Sequence, residues 1–214
     1  MTTQQTALEH LRVIRSLLEK SQVYRAISAP AALCGGVLAL IASAITFLTA
    51  GAMGARGFLT EWVGILAVTS AVNMFMLHRE ARSRSQPFFS ENSRLALALR
   101  AFTPPMLVGG LLGVFLIWFR GELALAALLW ILCYGLALLA TEHFSPRSLV
   151  RLGRAFLVVG GFFAVIYFTQ PDLAAGGKGA AVASIFLGTT FGLLHVAYAV
   201  AVFVRTPAPQ IAET

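Results

Sequence analysis

Charge is what this chain has least of. Asp, Glu, Lys and Arg make up 12% of its 214 residues, about half the share of an ordinary soluble domain, which is about 25%. With 58% hydrophobic residues and a mean hydropathy of +0.80, too little polar surface remains to cover a soluble globule. Cysteine is scarce as well. Cys34 and Cys133 both lie in apolar runs without a CxxC or Cys/His neighbour, which argues against a disulfide framework and a zinc site. Both are expected to behave as small buried hydrophobes. Missing too are the short signatures of common catalysis: there is no HExxH, no Gly-Lys phosphate loop and no GxSxG elbow.

No Asp, Glu, Lys or Arg stands near the middle of any apolar run, and Glu61, Arg120, Glu122 and Glu142 fall at run ends. The paired carboxylates of intramembrane hydrolysis and the buried relay of a proton-coupled transporter are therefore lacking. His78 and His143 also stand at run ends, away from any acidic cluster. The expectation is a protein that is not an enzyme and holds no cofactor or metal. A net charge of +7 would suit a nucleic-acid binder, but the arginines flank apolar runs instead of forming a basic domain. The expected partner is the lipid bilayer, with anionic lipid at the cytoplasmic face, and no nucleic acid.

What is present is apolar length. Six runs stand out: Ala29 to Met53, Thr60 to His78, Phe102 to Phe119, Glu122 to Thr141, Arg154 to Gln170, and Gly179 to Val204. Most approach the roughly 20 residues that cross a hydrocarbon core about 30 Å thick. The fifth is short, and Ser145-Pro146 predicts an N-cap followed by a helix-starting proline, so this helix is expected to begin earlier, with Arg147, Arg151 and Arg154 reaching to the headgroups. Backbone groups in lipid must be satisfied within a segment, and no alternating barrel pattern occurs. The fold class is all-α: a polytopic membrane protein, a six-transmembrane-helix bundle with an N-terminal interfacial amphipathic helix.

Orientation follows from the cations. Arg12, Arg15, Lys20, Arg25, Arg79, Arg82, Arg84, Arg94, Arg100, Arg147, Arg151, Arg154 and Arg205 fall on one side, against Arg56, Arg120 and Lys178 on the other. The positive-inside rule puts the larger set, with both termini, in the cytoplasm. Arginine far outnumbers lysine, and Ala, Leu and Gly abound. This composition suits a GC-rich bacterial genome and hence a bacterial inner membrane.

Residues 1–28 form the first unit. Thr6 and Glu9 match a capping box, and Leu8, Leu11, Ile14, Leu17 and Leu18 then share one helical face. Such a helix lies in the interface or packs on the bundle. No apolar stretch with a small-residue cleavage site precedes residue 28, so no signal peptide is expected. The six-helix domain covers 29–204. Residues 205–214, with Thr206-Pro207-Ala208-Pro209, read as an unstructured tail. Pro104-Pro105 should bend the chain after a helix beginning near Ser90. Trp62 and Trp118 read as interfacial anchors, and Trp130 as packed within the bundle. Gly-Gly pairs at 35–36, 109–110 and 160–161 follow Arg-Ala-Ile or Arg-Ala-Phe, a hint of three parallel hairpins whose unequal spacings favour coincidence.

Two constellations remain. His195, Asn73 and Tyr134 fall at similar depths in the sixth, second and fourth runs, a polar midplane layer that either ties helices together or lines a solute path. Gly35, Gly109, Gly113, Ser184, Gly188 and Gly192 stand on small-residue faces suited to close helix packing within the chain. The reading is a non-enzymatic integral membrane subunit or accessory protein acting through helix packing and cytoplasmic contacts. The alternative is an oligomeric channel or facilitator for a small neutral or weakly acidic solute. A homo-oligomer or another membrane protein is the partner these imply. Deleting residues 1–27 should reduce co-purification of partner proteins much more than resistance to alkaline extraction from membranes. Unchanged assemblies would remove the N-terminal segment as the contact.

Overall fold

Ser28 opens the described structure, and it shows how a helix start can be satisfied away from water. In the computed structural model, which describes residues 28–49, 54–83 and 94–205, the Ser28 side chain accepts a hydrogen bond from the Ala31 N–H at 3.3 Å. Pro30 occupies the first turn, where a missing N–H costs nothing. Ser28's own N–H donates to Asn73 Oδ1 at 3.0 Å. The capping helix expected for residues 1–27, the helix start near Ser90 and the tail after Arg205 lie outside the described residues.

Helices follow one another along the chain: α1 (Ala29–Leu48), α2 (Ala55–Ser83), α3 (Arg94–Phe115) with a π-helical turn (Leu116–Arg120), α4 (Leu123–Ala140) and α5 (Arg147–Thr169). A 3₁₀ turn (Pro171–Leu173) leads to α6 (Gly179–Leu187), a π-helical segment (Gly188–Leu194) and α7 (His195–Arg205). The last three make one rod, the sixth span. No strand occurs among the described residues, and six helices are long and apolar enough to cross a membrane.

The boundaries differ from the sequence reading in physically sensible ways. α2 begins at Ala55 and runs to Ser83, longer at both ends than its purely apolar stretch, because charged side chains at the ends of a span can reach water while their backbone stays helical. α5 begins at Arg147, with Pro146 itself as the N-cap, one residue later than Ser145-Pro146 suggested. Ser145 Oγ donates to Thr141 Oγ1 at 2.8 Å instead of capping. Pro104 and Pro105 lie inside α3, and the helix continues through them. Trp62 is buried against the core with Phe58, whereas Trp118 stays exposed beneath the Arg56 guanidinium, 5.2 Å from its ring centroid.

Helix order in space is α2, α1, the sixth span, α4 and α3, with α5 against α4 and, more lightly, the sixth span. The core is built for close approach. Ala31, Ala39, Ala126, Ala127, Ala137, Ala183 and Ala199 are fully buried. In lipid no hydrophobic drive pushes helices together, so contact must come from backbones that fit. Gly36 fits in this way: a Cβ there would lie 3.0 Å from both Gly192 O and Val196 N. Gly35 faces Thr69, Gly188 faces Ser43 and Gly192 faces Leu40. Gly109 and Gly113 admit Cys133 and Trp130 of α4, and Ser184 is fully buried with its hydroxyl on Ala181 O at 2.7 Å. Gly121, at φ 67, makes the tight turn from the third span to the fourth.

The glycine pairs do not repeat as hairpins. Gly35 and Gly109 each face the next span, but Gly160 faces Ile131 of the preceding one, and Gly110 and Gly161 meet nothing. The chain supplies its own control for packing. Gly36→Ala should destabilise the protein by about 1–3 kcal/mol because two backbones must part, while Gly110→Ala should be neutral or stabilising by up to about 1 kcal/mol. Reversible denaturation in mixed micelles compares them, and equal effects would refute a tight α1–sixth span contact.

Candidate functional site

Tyr134 and His195 meet at the centre of the bundle. Tyr134 projects from α4 and its hydroxyl lies 2.8 Å from His195 Nε2. The two side chains are 8% and 7% exposed, so the pair sits away from bulk solvent. α4 presents Tyr134 inward because its span is 61% buried, the largest share of any span. Around the pair close Phe156 of α5, with ring centroids 4.8 Å from Tyr134 and 5.4 Å from His195, and Phe191, stacked 5.9 Å from the imidazole. Phe102 of α3 stands edge-on to Tyr134 at 6.0 Å. Aromatic pairs of this kind contribute about 0.5–1.5 kcal/mol each beyond burial.

The backbone before His195 is unusual. The wide turns of Gly188–Leu194 shift the hydrogen-bond register within the sixth span, a feature often found at functional positions. Thr189 and Thr190 hydroxyls donate to Ile185 O and Phe186 O at 2.8 and 2.7 Å, so polar side chains attend carbonyls where the α pattern gives way. His195 Nδ1 has no hydrogen-bond partner among the described residues, and which group donates in the Tyr134–His195 bond follows the imidazole tautomer.

Asn73 does not share this depth. Gly35 of α1 faces Thr69 while Gly36 faces Val196, the residue after His195, so His195 is level with Thr69. Asn73 stands four residues, about 6 Å, further along α2, where it accepts from Ser28 at the start of α1. The structure therefore brings together two of the three residues of the expected layer and places the third at a helix cap. Ser28-Ala29-Pro30 was a readable cap signal, a serine followed by a first-turn proline.

Other polar contacts lie at the arginine-poor end. Thr46, fully buried, donates to Glu61 Oε2 at 2.7 Å, joining α1 to α2. Tyr167 donates to Glu122 Oε2 at 3.4 Å, joining α5 to the start of α4. The sequence marked both acids only as end groups, because nothing in one chain's order says which hydroxyl will face them. Buried Ser43 Oγ, Trp62 Nε1 and Thr69 Oγ1 have no hydrogen-bond partner among the described residues. Among the described residues no cluster of His, Cys, Asp and Glu could hold a metal.

This arrangement joins helices. A buried phenol and imidazole, sealed by three phenylalanine rings, tie α4 to the sixth span where its backbone is least regular. Tyr134→Phe should cost about 0.6 kcal/mol, with about 1.7 as the upper end for such bonds in a membrane. A double-mutant cycle with His195→Phe should show positive coupling; additivity within about 0.3 kcal/mol would mean that the two groups act independently.

No protein-family model matches the chain, and neither a curated protein nor a solved structure matches it, so a functional reading has to rest on the chain's own geometry and chemistry.

Proposed function

We propose that the protein is a non-enzymatic integral membrane subunit of the bacterial inner membrane, with both termini cytoplasmic, that works by packing laterally against another membrane protein. The observation that carries this reading is α2. Its span is only 11% buried, against 61% for α4, and its uncovered side sets small residues among large apolar ones such as Leu66, Val68 and Phe75. Gly64, Ala67, Ser70 and Ala71 are all exposed, and a Cβ on Gly64 would meet nothing. Lipid tails need no small residues beside them. Helix partners do, because small side chains let backbones come close.

Assignment of the arginine-rich end to the cytoplasm is supported by the sequence count of thirteen cations against three and, among the described residues, by exposed Arg79, Arg82, Arg100, Arg147, Arg151 and Arg154. The facilitator reading has less support. Its proposed narrow point at His195 is enclosed by Phe102, Phe156 and Phe191 around Tyr134, and Asn73 is engaged at a cap.

Gly64→Leu tests the proposal without disturbing the fold, since the new side chain points into open space. Extraction from native membranes in mild detergent, followed by mass and composition analysis, should give wild-type protein bound to a second membrane protein in fixed ratio. The Gly64→Leu protein should lose most of that partner while unfolding at the same temperature. A wild-type protein that runs alone or as a homo-oligomer, or a variant that keeps its full partner complement, would sink this reading. Solute flux in proteoliposomes abolished by His195→Ala would favour the facilitator instead.

A further inference from the structure

α5 turns two very different faces. Leu149, Leu152, Gly153, Phe156, Gly160 and Phe163 are buried, with Gly153 against Leu138 and Gly160 against Ile131 of α4. Opposite them Arg147, Arg151 and Arg154 are all exposed. Their i, i+4, i+7 spacing puts the three within about 60° of one another around the helix, over about 10 Å of its length. None of the three has a hydrogen bond or ion pair among the described residues, and the helix's first turn holds no acid. Three guanidiniums thus stand in a row at a helix start, where the macrodipole adds to their mutual repulsion.

The same stripe continues into the apolar part of the helix. Val158, Phe162, Val165 and Phe168 are 72, 61, 62 and 71% exposed, and Gly161 between them meets nothing where a Cβ would be. One surface therefore runs from three uncompensated cations into an apolar strip notched at Gly161. A soluble anion would use only the first part, whereas a phospholipid uses both.

We propose that this face of α5 binds an anionic phospholipid whose headgroup carries two phosphates, with the phosphates bridging Arg147, Arg151 and Arg154 and an acyl chain lying along the Gly161 notch. Two phosphates are specified because guanidinium forks engage phosphate in pairs of parallel hydrogen bonds, and three forks spread over about 10 Å exceed what one phosphate can reach. Complementary charge and apolar length set the occupant. The inference rests only on the helices crossing a bilayer and stands apart from the partner proposed for α2.

The test titrates lipids into delipidated full-length protein in neutral detergent, read by native mass spectrometry and by the unfolding temperature. Diphosphatidylglycerol should bind and stabilise more strongly than phosphatidylglycerol at equal total charge, and phosphatidylcholine and inorganic phosphate should do neither. Replacing the three arginines together by Gln should weaken diphosphatidylglycerol binding on the order of a hundredfold, at about fivefold per arginine. Gly161→Leu should weaken it with every charge kept, and Arg151→Lys should lose part of it because a fork is replaced by a point charge. Because these side chains are exposed or face open space, all variants should unfold at the wild-type temperature without lipid. Equal binding of the two anionic lipids, an unaffected triple variant, or full binding by inorganic phosphate would overturn the proposal.

Discussion

The close approach of the sixth span to α1 is the contact on which the rest of the bundle depends. α1 carries α2 on its other side, and α4 carries α3 and α5, but the sixth span packs on both α1 and α4. It joins the two groups by different chemistry on its two sides. Toward α1 it offers Gly188 and Gly192 and receives Gly36, so the bond is van der Waals contact between backbones. Toward α4 it offers His195 to Tyr134, a hydrogen bond inside an aromatic shell. In a medium as apolar as the side chains themselves, shape and a few polar pairs are what remain to specify a neighbour.

That division explains why some features were legible in the sequence and others were not. Six long apolar helices could be read because apolar length is a one-dimensional property. Tyr134 and His195 could be placed at one depth by counting residues from helix centres. Asn73 could not: the centre of α2 is the same for Thr60–His78 as for Ala55–Ser83, and the difference lies in how α2 is set against α1, where Asn73 meets Ser28. The glycines announced close packing but not with whom: Gly109 and Gly160 look alike in sequence, yet both face α4 from opposite sides along the chain. Partner choice is a property of rotation about each helix axis, and a single sequence constrains that rotation only weakly.

Polar groups in the bundle follow a gradient from ends to centre. At the ends, carboxylates and caps form bonds between neighbours: Asn73 with Ser28, Glu61 with Thr46, Glu122 with Tyr167. Each joins two different helices and costs little, because one partner is near water and can keep part of its hydration. In the middle, among the described residues, the bonds are made by a phenol, an imidazole and threonine hydroxyls turned back on their own helix. Desolvating a charge is the term that decides this order. A neutral donor loses a few kcal/mol on burial and regains most of it with one partner, whereas an ion needs several.

The sixth span combines the tightest backbone contact with the least regular backbone, and the two are linked. Gly188 and Gly192 lie within the π-helical segment itself, so the residues that admit α1 are also those whose lack of a side chain leaves the wide turn unsupported by side-chain packing on that side. Regular α geometry would have one residue fewer for the same rise and turn, and would carry α7 around its axis relative to α6. His195, the first residue after the segment, would then leave Tyr134. The hydrogen bond between them thus goes with the π-helical segment, within which the Thr189 and Thr190 hydroxyls donate to the Ile185 and Phe186 carbonyls. A single buried polar pair is worth little as adhesive. Its larger effect here is positional: together with Val196 against Gly36 on the other side, it fixes the rotation of α7 about its axis.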